Sequence, residues 1–106
     1  MNSERLKQLF DFLKDDPNDP FILYAIAQEY NGFDAQNARK YFELLLVDHP
    51  DYLATYYHAA KLYIDLDETK LAESIFEKGI ELANKQNNNL ALRELQNAYN
   101  ELLFDD

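Results

Sequence analysis

The two histidines of the chain, His49 and His58, are the first candidates for chemistry, because neutral imidazole is a common metal ligand. Asp48 and Asp51 stand beside His49 in the sequence. A metal site needs convergent ligands that are held in place by further hydrogen bonds. We place His49 in a turn and His58 on a helix face, and we interpret both as solvated side chains. We therefore expect neither a metal nor a cofactor.

A second candidate is the acidic segment 15–19, whose carboxylates are of the kind that bind calcium. The segment and its flank contain Pro17 and Pro20, and they lack the glycine and the closing glutamate of an EF-hand loop. Helix capping explains these aspartates better. Ser3 and Ser74 are the only serines, and the chain has no glycine-rich phosphate loop. We predict that the protein is not an enzyme.

The charge of the chain narrows its partners. Twenty acidic and ten basic residues give a formal net charge of −10. Such a charge repels phosphate backbones and anionic membrane surfaces, so we expect neither nucleic acid nor a membrane as a partner. A protein or peptide segment that is neutral, aromatic or basic is favoured. The chain has no cysteine, which suits a reducing compartment, and we expect a cytoplasmic protein.

Apolar residues recur at helical spacing along the chain, which indicates the elements that must carry any site. Residues 3–14 predict a first helix with Ser3 as its N-cap. A second helix begins at Pro20 and ends at Asn31-Gly32, since glycine readily adopts the left-handed conformation that ends a helix. Asp34 is expected to cap the third helix, which Pro50 ends.

The second half of the chain predicts three more helices. Residues 53–84 repeat the helical hairpin of residues 20–50, with a turn at 65–67. Residues 85–89 form a polar break, in which Asn88 or Asn89 caps a last helix over 89–103. This last helix has one apolar side and one polar side, as expected of a helix that closes a stack. We predict an all-α fold of about six helices.

The two hairpins share a register. Ala27 and Ala60, and likewise Tyr30 and Tyr63, are 33 residues apart, whereas the second helices match at 34. The positions that recur are a large residue, an alanine and a tyrosine in the first helix, and an alanine and an aromatic residue in the second. They are Leu23 and Tyr56, Ala27 and Ala60, Tyr30 and Tyr63, Ala38 and Ala72, and Phe42 and Phe76. A joint register with this period indicates a helical repeat.

Over residues 17–86 this pattern resembles the tetratricopeptide repeat family. The resemblance implies a right-handed superhelical stack of antiparallel hairpins in a single domain, 1–106, with a half repeat at 3–14, full repeats at 20–50 and 53–84, and a capping helix at 89–103. The chain departs from the family pattern in lacking its tryptophan. It also carries Leu45 in one copy and Gly79 in the other, where a small residue is expected late in the second helix.

In this family the first helices of successive repeats line a groove that holds a partner segment. The resemblance therefore implies that the side chains one step round from the packing stripe bind a peptide. These candidates are Tyr24, Gln28, Asn31, Tyr57, His58, Lys61, Ile64 and Asp65. We predict a protein-binding or peptide-binding adaptor or scaffold.

Two questions stay open at this point. Tyr24 and Tyr57 could instead pack against Phe21, the first helix or the last helix. The alternative function is that of a structural protein that associates with copies of itself, for example as a homodimer. The exposure of Phe33, Tyr52 and Phe104 bears on that alternative.

Overall fold

The computed structural model describes residues 2–104, and every regular element among them is an α-helix. The helices are α1 (Ser3–Asp15), α2 (Pro20–Tyr30), α3 (Ala35–Asp48), α4 (Ala54–Asp65), α5 (Thr69–Lys85) and α6 (Asn89–Phe104). The prediction of an all-α fold with about six helices is thereby confirmed. The chain divides into two compact units, Met1–Tyr52 and Leu53–Asp106. The grouping of all residues into a single domain stays a prediction.

In the first unit, α2 packs against α1 on one side and against α3 on the other. The side chain of Asn2 accepts a hydrogen bond from the Arg5 amide at 3.0 Å, so Asn2 caps α1 and the prediction of Ser3 as the N-cap is wrong. Ser3 is instead the first helical residue. At the start of α3, Asp34 accepts a hydrogen bond from the Asn37 amide at 3.2 Å, which confirms the predicted cap.

The turn between α2 and α3 depends on Gly32. Its φ of +94° lies in the region that side chains with a Cβ rarely adopt, which explains why glycine ends this helix. The core of the unit joins α1 and α2 through apolar side chains, and aromatic side chains lie at its edge. The buried residues of this α1–α2 cluster are Leu6, Leu9, Ala25 and Ile26, and Phe10, Tyr30 and Tyr41 pack beside them.

In the second unit, α5 packs against α4 and against α6, and α6 also touches α4. The side chain of Asn88 accepts a hydrogen bond from the Ala91 amide at 3.0 Å, so Asn88 rather than Asn89 caps α6. The hydroxyl of Tyr99 donates a hydrogen bond to Glu77 Oε2 at 2.7 Å, and the Tyr99 ring lies 5.8 Å from the ring of Phe76. These two contacts fix α6 on α5.

The shared register is visible in the burial of both hairpins. The alanine and phenylalanine positions are fully buried in each copy: Ala27 and Ala60, Ala38 and Ala72, and Phe42 and Phe76. The tyrosines differ, because Tyr63 is buried whereas Tyr30 is half-buried and stacks on Tyr41. The residues that the repeat pattern selects therefore form the interior of each hairpin.

Gly79 of α5 lies close against α4. A Cβ added at Gly79 would lie 2.8 Å from Cβ of Tyr56 and 3.3 Å from Cδ1 of Leu95. The first of these distances is shorter than real Cβ contacts, and Cβ of Tyr56 cannot move without its helix. In the first hairpin, Leu45 is fully buried at the corresponding position. The two hairpins thus share a register but differ in the size of the residue at this position.

Candidate peptide-binding faces

The face of α2 carries the first three candidates, Tyr24, Gln28 and Asn31, and all three are half-buried. The Tyr24 ring lies 5.8 Å from the Tyr52 ring at an interplanar angle of 55°. Burial raises the pKa of Tyr24, and the neighbouring Tyr52 adds to the shift. Tyr24 therefore stays a neutral hydroxyl over the physiological range, with part of its ring accessible.

Gln28 lies one turn after Tyr24, and its side-chain amide is held loosely. Gln28 Nε2 donates to the Tyr24 hydroxyl over 3.4 Å, at the long end of hydrogen-bond distances. The other end of the amide, Gln28 Oε1, is buried and has no hydrogen-bond partner among the residues that the structure describes. A buried acceptor without a partner is uncommon and costs free energy. This atom is the one unsatisfied acceptor on the described part of the α2 face.

An open depression of about 230 Å³ lies where α2 meets α1. It is lined by Arg5 from α1 and by Phe21, Tyr24, Ala25, Gln28 and Glu29 from α2. Arg5 Nε pairs with Glu29 Oε1 at 3.1 Å, and Glu29 Oε2 accepts a hydrogen bond from the Asn2 amide at 3.3 Å. Glu29 thus ties the start of α1 to α2 and sets the position of the Arg5 guanidinium.

The face of α4 carries the other five candidates. Tyr57, His58 and Ile64 are half-buried, whereas Lys61 and Asp65 are exposed. The Tyr57 ring meets the His58 ring edge-on at 5.3 Å, and Lys61 Nζ lies 6.0 Å from the centre of the Tyr57 ring. Tyr57 therefore contacts neighbours on its own helix, which leaves part of its ring on the surface. An aromatic ring flanked by a cation and an imidazole favours contact with aromatic or polar groups.

His58 is the residue of this face whose side-chain type ordinarily titrates closest to neutral pH. Burial lowers the pKa of His58, and the carboxylate of Glu94 on α6 opposes that shift. The ring is consequently neutral at neutral pH, so that it can both donate and accept a hydrogen bond.

The other histidine, His49, belongs to neither set of candidate residues. His49 ends α3, and its Nε2 lies 3.2 Å from Asn18 Oδ1. Within residues 2–104, no group of three or more histidine, cysteine, aspartate or glutamate side chains is arranged to hold a metal ion. The hydrogen bond between His49 and Asn18 instead connects the turn after α3 to the loop after α1.

Sequence reasoning did not select Arg5, Phe21 and Glu29, which the fold brings together beside Tyr24 and Gln28. Arg5 and Glu29 are 24 residues apart and carry no motif. Phe21 is an apolar residue at the start of a helix, and its exposure of 63% follows from the packing of α1 and α2. The only sequence signal lies within α2, where Phe21 stands in the first turn, three positions before Tyr24.

Comparison with solved structures places the chain in a family. A crystal structure of a tetratricopeptide repeat domain protein from Salinibacter ruber matches it with a TM-score of 0.79 and 42% sequence identity, over 83% of this chain and 99% of that one. The chain belongs to the tetratricopeptide repeat family. A solution NMR structure of a tetratricopeptide repeat domain protein from the same organism matches equally well, with a TM-score of 0.79 and 42% identity over 85% of this chain and 92% of that one. No family model and no curated protein matches the chain.

This membership confirms the resemblance drawn from the shared register of the two hairpins. The tetratricopeptide repeat pattern here tolerates Leu23 and Tyr56 at one position, and Leu45 and Gly79 at another. Over residues 2–104, the chain forms no helix with the length and apolar character needed to cross a bilayer.

Proposed function

We propose that this tetratricopeptide repeat protein is an adaptor that binds a segment of a partner protein, and that the exposed face of α2 and the exposed face of α4 are its candidate binding surfaces. The observation that carries the proposal is the cluster of Tyr57, His58 and Lys61 on α4. Tyrosine offers a large contact area at a small cost in side-chain entropy, and its hydroxyl orients a ligand. Tetratricopeptide repeats typically serve as scaffolds, and we infer that this chain binds rather than catalyses.

The charges of the two faces favour a particular partner chemistry. Asp65 is exposed one turn after Lys61, and the chain as a whole carries a net charge of −10. The field of such a protein attracts cations and repels anions. We propose a neutral, aromatic or basic segment as the partner, and neither nucleic acid nor a membrane surface.

The test begins with a peptide library displayed on phage and selected against the full chain. A segment recovered from the library is then measured by fluorescence anisotropy against the protein with Tyr57→Ala and Lys61→Ala combined. We expect affinity to fall by about 30-fold or more, because a central aromatic contact typically contributes about 2 kcal/mol or more. Helical melting is expected to change little, since Tyr57 is only half-buried and Lys61 is exposed.

A matched control removes one aromatic residue and one lysine elsewhere. Phe33 is 70% exposed, and Lys40 is exposed on α3, and neither belongs to the two faces. Phe33→Ala combined with Lys40→Ala should leave affinity unchanged. Equal losses in both double variants, or a library that yields no segment, would overturn the proposal.

A second function, self-association, is favoured by apolar side chains at the surface. Val47, Phe33 and Phe104 are 77%, 70% and 78% exposed. Tyr52 is half-buried and contacts Tyr24, so it contributes less to such a surface. If these side chains mediate a homodimer, Val47→Asp should shift the protein to a monomer in analytical ultracentrifugation.

A further inference from the structure

The depression where α1 meets α2 has the size of a single side chain. Its volume of about 230 Å³ lies below the range of about 300–1,000 Å³ that is typical of pockets for whole small molecules. Ala25 contributes to its floor, where a larger residue would fill the space. The depression therefore fits one group of a longer ligand rather than a complete small molecule.

Two flat groups border this depression. Phe21 is 63% exposed, although Leu23, Ala25 and Ile26 of the same helix are buried. The Arg5 side chain is 56% exposed, and its Nε pairs with Glu29 Oε1 at 3.1 Å. A guanidinium plane and an aromatic ring each favour contact with the face or edge of a further aromatic ring.

One residue of the lining of this depression, Gln28, also carries an acceptor that lacks a donor. Gln28 lines it, and Gln28 Oε1 is buried and has no hydrogen-bond partner among the described residues. The amide is anchored only through a 3.4 Å contact with the Tyr24 hydroxyl, so a small rotation of the side chain is inexpensive. A main-chain N–H of a bound segment would supply the missing donor.

We propose that this depression binds one aromatic side chain of the partner segment between Phe21 and Arg5, while Gln28 Oε1 accepts a hydrogen bond from a main-chain N–H beside that side chain. The inference rests on the proposed function and adds to it the type of residue that the segment must carry. It also extends the binding surface from α2 onto α1. An uncharged aromatic residue suits the site, because Arg5 and Glu29 neutralise each other there.

The test uses a probe that does not depend on knowing the partner. N-acetyl-L-phenylalaninamide is titrated into the full-length ¹⁵N-labelled protein, and the amide signals of Ala25, Gln28 and Glu29 are followed by NMR. We expect saturable shifts at these signals. A form of the probe that is methylated at Nα and carries a dimethylamide in place of the carboxamide has no N–H and should bind more weakly, and N-acetyl-L-alaninamide should give no saturable shift.

Substitutions at Phe21 and at Arg5 test whether these two residues bind the probe. Phe21→Ala should lower the affinity for the probe by about 3- to 10-fold, the range expected for one aromatic pair. Phe12→Ala is the matched control, because Phe12 is 59% exposed on α1 and does not line the depression. Arg5→Lys keeps the charge but loses the planar group, and it should lower the affinity for the probe by about 2- to 5-fold.

The possible failures can be told apart. An absence of saturable shifts, or equal effects of Phe21→Ala and Phe12→Ala, would overturn this inference while leaving the proposed function to its own library test. Shifts of the same signals on raising the protein concentration without the probe would show that a second copy fills the depression, which also contradicts the inference. If the probe binds but the library yields no segment, the depression does bind an aromatic side chain, and the proposed function is wrong.

Discussion

The close approach of α4 and α5 at Gly79 makes Gly79→Ala a sharp test of the packing. Two effects of opposite sign compete in this variant. Alanine in place of glycine inside a helix normally stabilises by about 0.5–1 kcal/mol. The new Cβ, however, would lie 2.8 Å from Cβ of Tyr56, and overpacking of a core typically costs about 1–3 kcal/mol. Because Cβ of Tyr56 is fixed by its backbone, we expect the crowding to exceed the gain.

The expected net effect is a loss of about 1 kcal/mol, which lowers the melting temperature of a domain of this size by about 4–8 °C. The measurement is thermal unfolding followed by far-UV circular dichroism. Asn84→Ala on the same helix is the control, since Asn84 is exposed and its replacement changes helix propensity alone. If Gly79→Ala raises the melting temperature as Asn84→Ala does, the helices are further apart than described and the reasoning is refuted.

Two further predictions concern the packing of the second unit. Ala60→Leu inserts a larger side chain at a fully buried position and should lower the free energy of unfolding by about 1–3 kcal/mol, measured by urea unfolding. An unchanged urea midpoint would contradict the shared register. The hydrogen bond to Glu77 raises the pKa of Tyr99 to about 12, so spectrophotometric titration should show one tyrosine that ionises above the others. Because this pKa lies above the ordinary value in the folded state, its contribution to stability is complete below pH 10 and is lost as the pH rises through about 12. Glu77→Gln should lower the pKa of that tyrosine, and an unchanged pKa would contradict its assignment to Tyr99.

Sequence patterns were sufficient for the elements and for the repeat. Each helix follows from apolar residues at helical spacing, and the alanine and phenylalanine pairs that define the register are buried in both hairpins. Those positions are predictable because they depend on contacts within one hairpin, whose helices are joined by a short turn. Asp34 was likewise predictable, since its cap involves residues only three positions apart.

Other features depend on distances that sequence does not contain. The choice between Asn2 and Ser3 as the cap of α1 was decided by where the first turn begins, and both residue types cap well. The need for glycine at position 79 follows from the separation of α4 and α5 at Tyr56, which only the packed structure gives. Both features required the assembled hairpin.

The candidate faces were predicted only in part. The family pattern places Tyr24 and Tyr57 at the surface of their helices, and both are half-buried there. Pairs from distant parts of the chain, such as Arg5 with Glu29, are invisible in a single sequence because no local spacing encodes them. For the same reason, the contact of Tyr24 with Tyr52 was not among the neighbours that the sequence suggested for Tyr24.

The most direct test of the proposed adaptor is multi-angle light scattering behind a sizing column, with the purified chain alone and with a segment recovered from the peptide library. The account predicts a particle of 12.5 kDa at all concentrations, which gains the mass of one segment when the segment is present. Tyr57→Ala with Lys61→Ala should abolish that gain. A particle of twice the mass that forms with increasing concentration and gains nothing from any segment would contradict the account and establish self-association instead.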